Sequence, residues 1–292
     1  MKIKLIARAK INLSLHVVGP APDDYHEIRT VMQSVDLADD LYMTRAAATK
    51  VEIAWAEGSG PLPNQPDLVE RALALYDSMV GGTQGAEVNL SKRIPIGAGL
   101  GGGSADAAAG LMGMATLQGV DASGLLDEIA PQVGADVPFM LRGGCALAEG
   151  IGEKLTPLES APHWWVIVVP SRPLRTAEVY QRFDELSGRG IDRTDDVLAV
   201  LAERNLERLG AVLSNDLEEP AFDLHPELAD LKASVLGTGA LGAVMCGSGS
   251  AIGGLFGSQT DAISAGSSLE KLGLRVFVTG SATRGIEVLD VG

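Results

Sequence analysis

The run Pro95-Ile96-Gly97-Ala98-Gly99-Leu100-Gly101-Gly102-Gly103-Ser104-Ala105 holds five glycines between positions 97 and 103 and leads into an alanine-rich stretch. Glycine has no Cβ, so such a run brings backbone N–H groups close to a bulky anion. A helix expected over Ser104–Leu117 adds unpaired N–H groups and the positive end of its dipole at the same point. The chemistry that fits is the binding of a phosphate. Two familiar phosphate loops do not fit. Gly97-x-Gly99-x-x-Gly102 has the form of the dinucleotide fingerprint, and Asp121 stands at about the right distance for its acid. Only Gln118-Gly119-Val120 separate that acid from the helix, however, which leaves no room for the strand required between them. A Walker A loop needs Lys and then Ser or Thr after its last glycine, where this chain has Ser104-Ala105. A structureless glycine linker would not deliver the chain into a well-formed helix.

The elements that must position this loop are legible by periodicity. From Lys10 the residues alternate, with Lys10, Asn12, Ser14 and His16 on one face and Ile11, Leu13, Leu15 and Val17 on the other. That is the pattern of a half-buried strand. A second strand is expected at Val51–Trp55. A helix is expected over Asp67–Val80, with the stripe Leu68, Ala72, Leu75 and Met79 and a stop at Gly81-Gly82. Val88–Leu90 extends toward the glycine loop. Gly110 and Gly113 inside the following helix cost stability unless another element packs closely there. A helix near Ala122–Gln132 leads into Gly134-Ala135-Asp136-Val137-Pro138. Thr156–Pro162, with two prolines and no periodicity, reads as a domain boundary. Beyond it come a strand (Trp164–Val169), a helix (Glu178–Leu186), a polar loop (Ser187–Asp196) and more helix. Two strands then follow (Gly242–Cys246, Ala251–Phe256), joined by Gly247-Ser248-Gly249-Ser250, and last a helix (Asp261–Leu272) and a strand (Arg275–Thr279). Without its extra helices this half has the β-α-β-β-α-β order of the ferredoxin-like split unit.

Composition bounds the function. The 292 residues carry 46% hydrophobic and 21% charged residues, an ordinary globular balance with room for one large or two medium domains. A formal charge of −15 speaks for a solvated acidic surface and against broad binding to nucleic acid or anionic membrane. Cys145 and Cys246 have neither metal-ligand spacing nor a disulfide framework, so buried thiols in a reducing cytosol are expected. The N-terminal residues meet Arg8 and Lys10 before an apolar segment of signal-peptide length develops, and no apolar run approaches the ~20 residues of a membrane span. A cytoplasmic location follows as the expectation.

The order strand, Pro-x-x-x-Gly-Leu-Gly-Gly-Gly-Ser-Ala, helix resembles the phosphate loop of the GHMP kinases, the superfamily of galactokinase, homoserine kinase and mevalonate kinase. Lys10-Ile11-Asn12-Leu13, Asp24-Tyr25-His26-Glu27-Ile28, Gly134-Ala135-Asp136-Val137-Pro138-Phe139 and Ala148-Glu149-Gly150-Ile151-Gly152-Glu153 extend the likeness along the chain. Together they resemble the branch whose substrate is a cytidine diphosphate derivative of 2-C-methyl-D-erythritol, on the non-mevalonate route to isoprenoids. Two positions depart from that branch: Asp24 stands where it usually has glycine, and Ala105 where it usually has a second serine. The first is mild, since Asp tolerates turn geometry. The second removes a hydroxyl and puts more weight on Ser104 and the backbone.

The resemblance implies a two-domain α/β fold, with an ATP-binding domain over residues 1–155 and a ferredoxin-like domain over 156–292, and a site in the cleft between them. It implies transfer of the ATP γ-phosphoryl group to the substrate 2-hydroxyl, with Mg²⁺ accompanying ATP and no protein ligand to the metal assigned. Pro95, Gly97, Ala98, Gly99, Leu100, Gly101, Gly102, Gly103, Ser104 and Ala105 would hold ATP. Asp136 would accept the hydroxyl proton with Lys10 as its partner, although the residues alone favour an N-cap and a solvated edge lysine. Asn12, Tyr25, His26, Thr176 and Tyr180 would bind substrate, Tyr25 stacking on the cytosine, His26 reading its edge and Tyr180 closing the pocket. For Tyr180, packing in a helix core is nearly as good a reading. Gly247-Ser248-Gly249-Ser250 would brace the phosphate loop, or simply turn a hairpin. Lys92, Arg93 and Arg142 are candidates for offsetting phosphate charge, against the usual surface role of such residues. Another small-alcohol kinase (homoserine or mevalonate type) and a non-catalytic nucleotide binder on the same fold are the alternatives. A monomer or homodimer is expected.

Overall fold

The computed structural model describes residues 1–22, 25–55, 68–81, 85–186 and 190–290. Its longest elements are the arms of one antiparallel hairpin, β1 (Lys2–Pro20) and β2 (His26–Ala46), so the alternation from Lys10 belongs to a longer strand. That strand is not half-buried. Ile11 and Leu13 enter a core as expected, but Lys10, Asn12 and Ser14 are also covered, at 5%, 1% and 0% exposure. Buried polar side chains need partners, and meeting that need shapes the cleft described below.

After the hairpin come β3 (Lys50–Trp55), α1 (Leu68–Val80) and β4 (Gly85–Lys92), with β3 and β4 as parallel neighbours joined through α1. The buried residues of α1 are Val69, Ala72, Leu73 and Tyr76; of the expected stripe Ala72 is among them, Leu68 and Leu75 pack on the same core at partial burial, and Met79 is exposed. The buried face is set by the helix it meets, α2 (Gly102–Gln118). A Cβ at Gly110 would touch Val69 and Leu73, so the glycine-bearing side of α2 receives those two residues. Asp67 and Gly82, the expected ends of α1, lie outside the described residues. Gly113 makes the close approach that its cost implies, since a Cβ there would stand 2.2 Å from Met43 Sδ and 3.2 Å from Leu5 Cδ1.

The chain continues through α3 (Ser123–Val133), α4 (Val137–Arg142), β5 (Cys145–Glu149) and β6 (Lys154–Leu158). Thr156, Pro157 and Leu158, expected as loop, form part of β6. Among the described residues that strand pairs only with β5, and on such an edge a proline without an N–H is tolerated. Then follow β7 (Trp164–Val169), α5 (Thr176–Leu186), α6 (Thr194–Glu203), α7 (Leu206–Val212), β8 (Ser214–Asn215), α8 (Glu218–Leu224), α9 (Glu227–Leu236), β9 (Gly242–Met245), β10 (Ile252–Phe256), α10 (Gln259–Glu270), β11 (Arg275–Gly280) and β12 (Ile286–Asp290). The expected loop to Asp196 ends earlier, at Thr194, whose N–H donates to Asp192 at 2.8 Å. Its residues 187–189 are outside the described set.

The larger sheet runs β12-β1-β2-β4-β3, with β5 beside β2, β6 beside β5 and β8 beside β1. The smaller runs β11-β7-β10-β9 with every pair antiparallel, which is the split unit read from the sequence. Strand β1 feeds three separate cores. Ile3, Leu5 and Ala7 pack with α1, α2, α3 and α4, Ala9, Ile11 and Leu13 pack toward the smaller sheet, and Leu15 and Val17 join the layer around α9 and α10. Register shifts between Arg8 and Lys10 and between Asn12 and Ser14 flank the segment that carries the polar row. Such irregularities turn a strand and re-aim its side chains. No helix among the described residues is long and apolar enough to cross a membrane.

Gly113→Val is expected to lower the unfolding free energy by about 1–3 kcal/mol in urea titration, because it overfills a packed site. Gly124→Ala, at a helical position with open space around it, is not destabilising in the same experiment.

Candidate active site

A cleft of about 1290 Å³ is lined by Lys10 and Asn12 of β1, His26 and Thr30 of β2, the loop from Pro95 to Ser104, Asp136, and Thr176 and Tyr180 of α5. Its floor is the glycine loop, gripped from two sides. The Lys10 N–H donates to the Leu100 carbonyl at 3.0 Å, and the N–H groups of Ser250 and Ala251 donate to Gly97 and Ala98 at 3.3 and 3.2 Å. These bonds occupy three of the loop's carbonyls and hold it in place on the cleft floor. Gly99 sits at φ +76, and a Cβ there would fall 1.7 Å from the Cys246 carbonyl oxygen. Gly247-Ser248-Gly249-Ser250 is therefore both things the sequence allowed. It is a turn, closed by Gly249 N–H to Cys246 at 2.8 Å, and its end braces the loop. Ala105 is different from its neighbours in the run: it is fully buried in the helical core, and its N–H donates to Gly101 at 2.9 Å.

Behind the loop lies a buried ionic triad. Asp39 accepts from the N–H groups of Arg93 and, at 2.8 Å, Ile94, where β4 gives way to the loop. Its other oxygen accepts from Lys92, which also donates to Asp106 in the second turn of α2. One cation thus ties both ends of the loop together, and two carboxylates share it. Burial pushes the Asp106 carboxyl well above the usual carboxylate range, Asp39 adds to the shift, and Lys92 opposes it. Burial works against the Lys92 ammonium, but the two acids outweigh it and raise its pKa. Lys92 is therefore committed to the scaffold. Arg93 is bound to Ala38 and Asp40, and Arg142 to Asp127.

The polar row of β1 supplies the next layer. Lys10 Nζ donates to Asn12 Oδ1 at 2.8 Å and lies 3.6 Å from Asp136 Oδ2. Asp136 occupies the N-cap position of α4, yet its side chain makes no capping bond. Its carboxylate, 32% exposed, faces the cleft beside a buried ammonium instead. Asn12 uses both ends of its amide within the protein, since Nδ2 donates to Thr30 Oγ1 at 2.8 Å.

At the other end His26 stacks on Tyr180, with ring centroids 4.7 Å apart and planes 27° from parallel, and its Nε2 meets Asp184 at 2.9 Å. A carboxylate accepts only, so Nε2 carries the hydrogen and Nδ1 of the neutral ring is an acceptor. Tyr180 both lines the cleft and packs on the core beneath α5. Burial, with Asp136 adding charge, pushes its hydroxyl pKa up. Tyr25 stands at the mouth, 52% exposed. Thr176 and Ser248 join hydroxyls at 2.8 Å, linking α5 to the bracing turn. Asp24 lies outside the described residues.

Sequence reasoning missed an apolar wall beside the loop, formed by Ile53, Trp55, Leu68 and Ile94, which offers a planar base a dry surface. Alternate residues of β3 carried that signal. It also missed Thr30, Asp39, Asp106 and Asp184. Both cysteines are free and buried, and burial pushes each thiol up to about 12, which removes them as nucleophiles. Among the described residues no group of three or more His, Cys, Asp or Glu side chains is arranged to hold a metal ion.

Two family descriptions match the chain: GHMP kinases N terminal domain over residues 67–144, and GHMP kinases C terminal over residues 197–275. A 4-diphosphocytidyl-2-C-methyl-D-erythritol kinase of Pelotomaculum thermopropionicum is 43% identical over 259 residues, covering 87% of this chain and 89% of its own. Its counterpart from a Thermoanaerobacter species is 37% identical over 291 residues, 99% of each chain. The crystal structure of a 4-(cytidine 5'-diphospho)-2C-methyl-D-erythritol kinase is similar with a TM-score of 0.80 at 34% identity, over 96% of this chain and 99% of that one. A homoserine kinase from Cytophaga hutchinsonii, at 21% identity and a TM-score of 0.73 over 99% and 97%, shares the fold.

The triad makes opposite demands on its two ends. Lys92→Met leaves two buried acids without their cation and is expected to cost about 3–5 kcal/mol of stability. Asp106→Asn keeps the shape without the charge. Because the fold raises the Asp106 pKa above its value in the unfolded chain, the parent loses stability as pH climbs above the ordinary carboxylate range. Asp106→Asn lacks that loss, so its stability relative to the parent rises as pH is raised above the ordinary carboxylate range in parallel urea titrations.

Proposed function

The chain belongs to the 4-diphosphocytidyl-2-C-methyl-D-erythritol kinase family of the GHMP kinases, and from that premise we propose that it moves the γ-phosphoryl group of ATP to the 2-hydroxyl of 4-diphosphocytidyl-2-C-methyl-D-erythritol. One observation carries the reading. A single cleft holds the Lys10–Asp136 pair over a glycine loop at one end and the His26–Tyr180 stack at the other.

The roles follow from the geometry. The loop N–H groups and the start of α2 receive the ATP phosphates, and the apolar wall takes the adenine. The substrate hydroxyl lies between Asp136 and the γ-phosphorus. As its oxygen bonds to phosphorus and the bond to the β-phosphate oxygen breaks, its proton passes to Asp136. Lys10 holds that carboxylate in place and offsets charge on the transferring group. His26 Nδ1, left as an acceptor by Asp184, suits the exocyclic amine of cytosine, while Tyr180 and Tyr25 offer ring faces. Asn12 acts here by holding Lys10. The Asp136 carboxylate, half-buried in the cleft, and the Ser104 hydroxyl suit a Mg²⁺ carried mainly by phosphate and water. That ion, when bound, neutralises phosphate charge.

The division of the chain near residue 155, a cytoplasmic setting and a monomeric or homodimeric state belong to the same proposal. The acidic net charge of −15 supports a protein that stays dispersed and takes a small-molecule substrate.

Purified protein with ATP and Mg²⁺ is expected to release ADP when offered the diphosphocytidyl alcohol, and to be silent with homoserine or mevalonate. Turnover with either of the latter alone overturns the base-pocket assignment. Asp136→Asn is expected to lower kcat by about 10²–10⁴-fold, the usual contribution of a general base. Its nucleotide affinity by titration calorimetry stays close to the parent value, and equal loss of both overturns a mainly catalytic role.

A further inference from the structure

Thr30 lies on β2 opposite the polar row of β1, fully buried, and nothing in the sequence marks it out. We propose that Thr30 is a positioning residue: it fixes which end of the Asn12 carboxamide faces Lys10, and so holds the Lys10 ammonium beside Asp136. The assignment rests on reading Lys10 and Asp136 as the reacting pair.

The reasoning is one of hydrogen-bond polarity. A threonine hydroxyl has one hydrogen to donate. Thr30 Oγ1 lies 2.5 Å from the Ser14 carbonyl oxygen, which can only accept, so that hydrogen is committed. Toward any other neighbour the Thr30 oxygen can then only accept. The neighbour it meets is Asn12 Nδ2, at 2.8 Å. With its amide nitrogen drawn to Thr30, Asn12 presents its oxygen to Lys10 Nζ at 2.8 Å. The reversed amide would set its NH₂ against an ammonium and its oxygen against an oxygen with no hydrogen to offer. The orientation of a buried amide is normally open to either choice. Here the Lys10 ammonium on one side and, through one hydroxyl, the Ser14 carbonyl on the other enforce the same choice.

The backbone explains why the relay exists at this place. The register shift between Asn12 and Ser14 sits where Thr30 reaches Ser14, and the Ser14 hydroxyl accepts from the neighbouring Val31 N–H at 3.2 Å. Lys10, Asn12 and Thr30 are all nearly sealed from solvent, so water cannot substitute for a missing partner. One of the ammonium hydrogens is held by Asn12, and Asp136 lies on its cleft side at 3.6 Å.

Thr30→Val removes the hydroxyl at nearly constant shape, and Thr30→Ser keeps it. The test is steady-state kinetics of the full chain with ATP, Mg²⁺ and the diphosphocytidyl alcohol, beside ADP binding by calorimetry and thermal unfolding. Thr30→Val is expected to lose about 10- to 100-fold in kcat, the range for a hydrogen bond that bears on a charged group. Its KM values and ADP affinity stay within about threefold of the parent, and Thr30→Ser regains most of the rate. Unchanged kcat in Thr30→Val overturns the proposal. So does a loss that Thr30→Ser fails to restore, or a fall of kcat, ADP affinity and Tm together, which is the mark of a merely structural residue. Should Thr30→Val not fold, Asn12→Asp serves instead. Its carboxylate meets an oxygen with no hydrogen to give, so kcat falls despite the added charge beside Lys10, and full activity overturns the relay. Lys10→Met run in parallel separates the two readings. If it is fully active the catalytic pair is wrong and the relay falls with it. If it is inactive while Thr30→Val is fully active, the relay alone is wrong.

Discussion

A backbone segment that is to offer its N–H groups to an anion is held in place best when its buried carbonyl oxygens are satisfied by other parts of the chain. That constraint organises this protein. The glycine loop could fold back and bond to itself, and it would then present nothing. Instead β1 takes the Leu100 carbonyl and the turn after β9 takes those of Gly97 and Ala98, so two distant parts of the chain hold the loop open. The ends of the loop are fixed from behind by Asp39 and Asp106 through their shared Lys92. Sheet, turn and buried ions all bear on this one loop.

The strand that grips the loop also carries the chemistry. Lys10 and Asn12 lie between two register shifts, in a stretch whose opposite side is core. Burial on both sides makes the polar row costly unless every donor and acceptor is met, and the partners that meet them also fix direction. The ammonium of Lys10 is consequently aimed by its neighbours rather than by solvent. At the far end the same logic applies to His26, whose acceptor nitrogen is decided by Asp184.

What the sequence revealed and what it hid divide along a physical line. Local features were legible: the glycine run and its helix, the apolar strand Trp164–Val169, the hairpin turn at 247–250, and a helix starting after Asp136. Each is set by residues near in sequence. The direction of a side chain after the fold closes was not legible. Asp136 sits where a cap belongs but points into the cleft, and Lys92 resembled a surface lysine until Asp39 and Asp106 closed on it. Ala105 belongs to the run yet faces the core. The buried face of α1 was only partly legible, since the place of Val69 and Leu73 depends on where α2 carries glycine, a fact of the partner helix. Pro157 suggested a loop because its edge position, which makes it harmless, is set by tertiary pairing. The resemblance to kinase signatures supplied roles that spacing alone left open between catalysis and capping.

The pairing of β12 with β1 has a consequence for how the molecule comes into being. Arg8 of β1 and Glu287 of β12, which pair across that seam, are 279 residues apart in sequence. A chain made from its N-terminus has its β1–β2 hairpin long before it has β12. Until then one edge of β1 carries unpaired N–H and C=O groups beside apolar side chains, the kind of surface that invites another strand. Closing the sheet is therefore a late event in the life of a nascent chain. The same strand that aims the lysine is the one left waiting, and its exposure ends only once Glu287, 279 residues beyond Arg8, has been made.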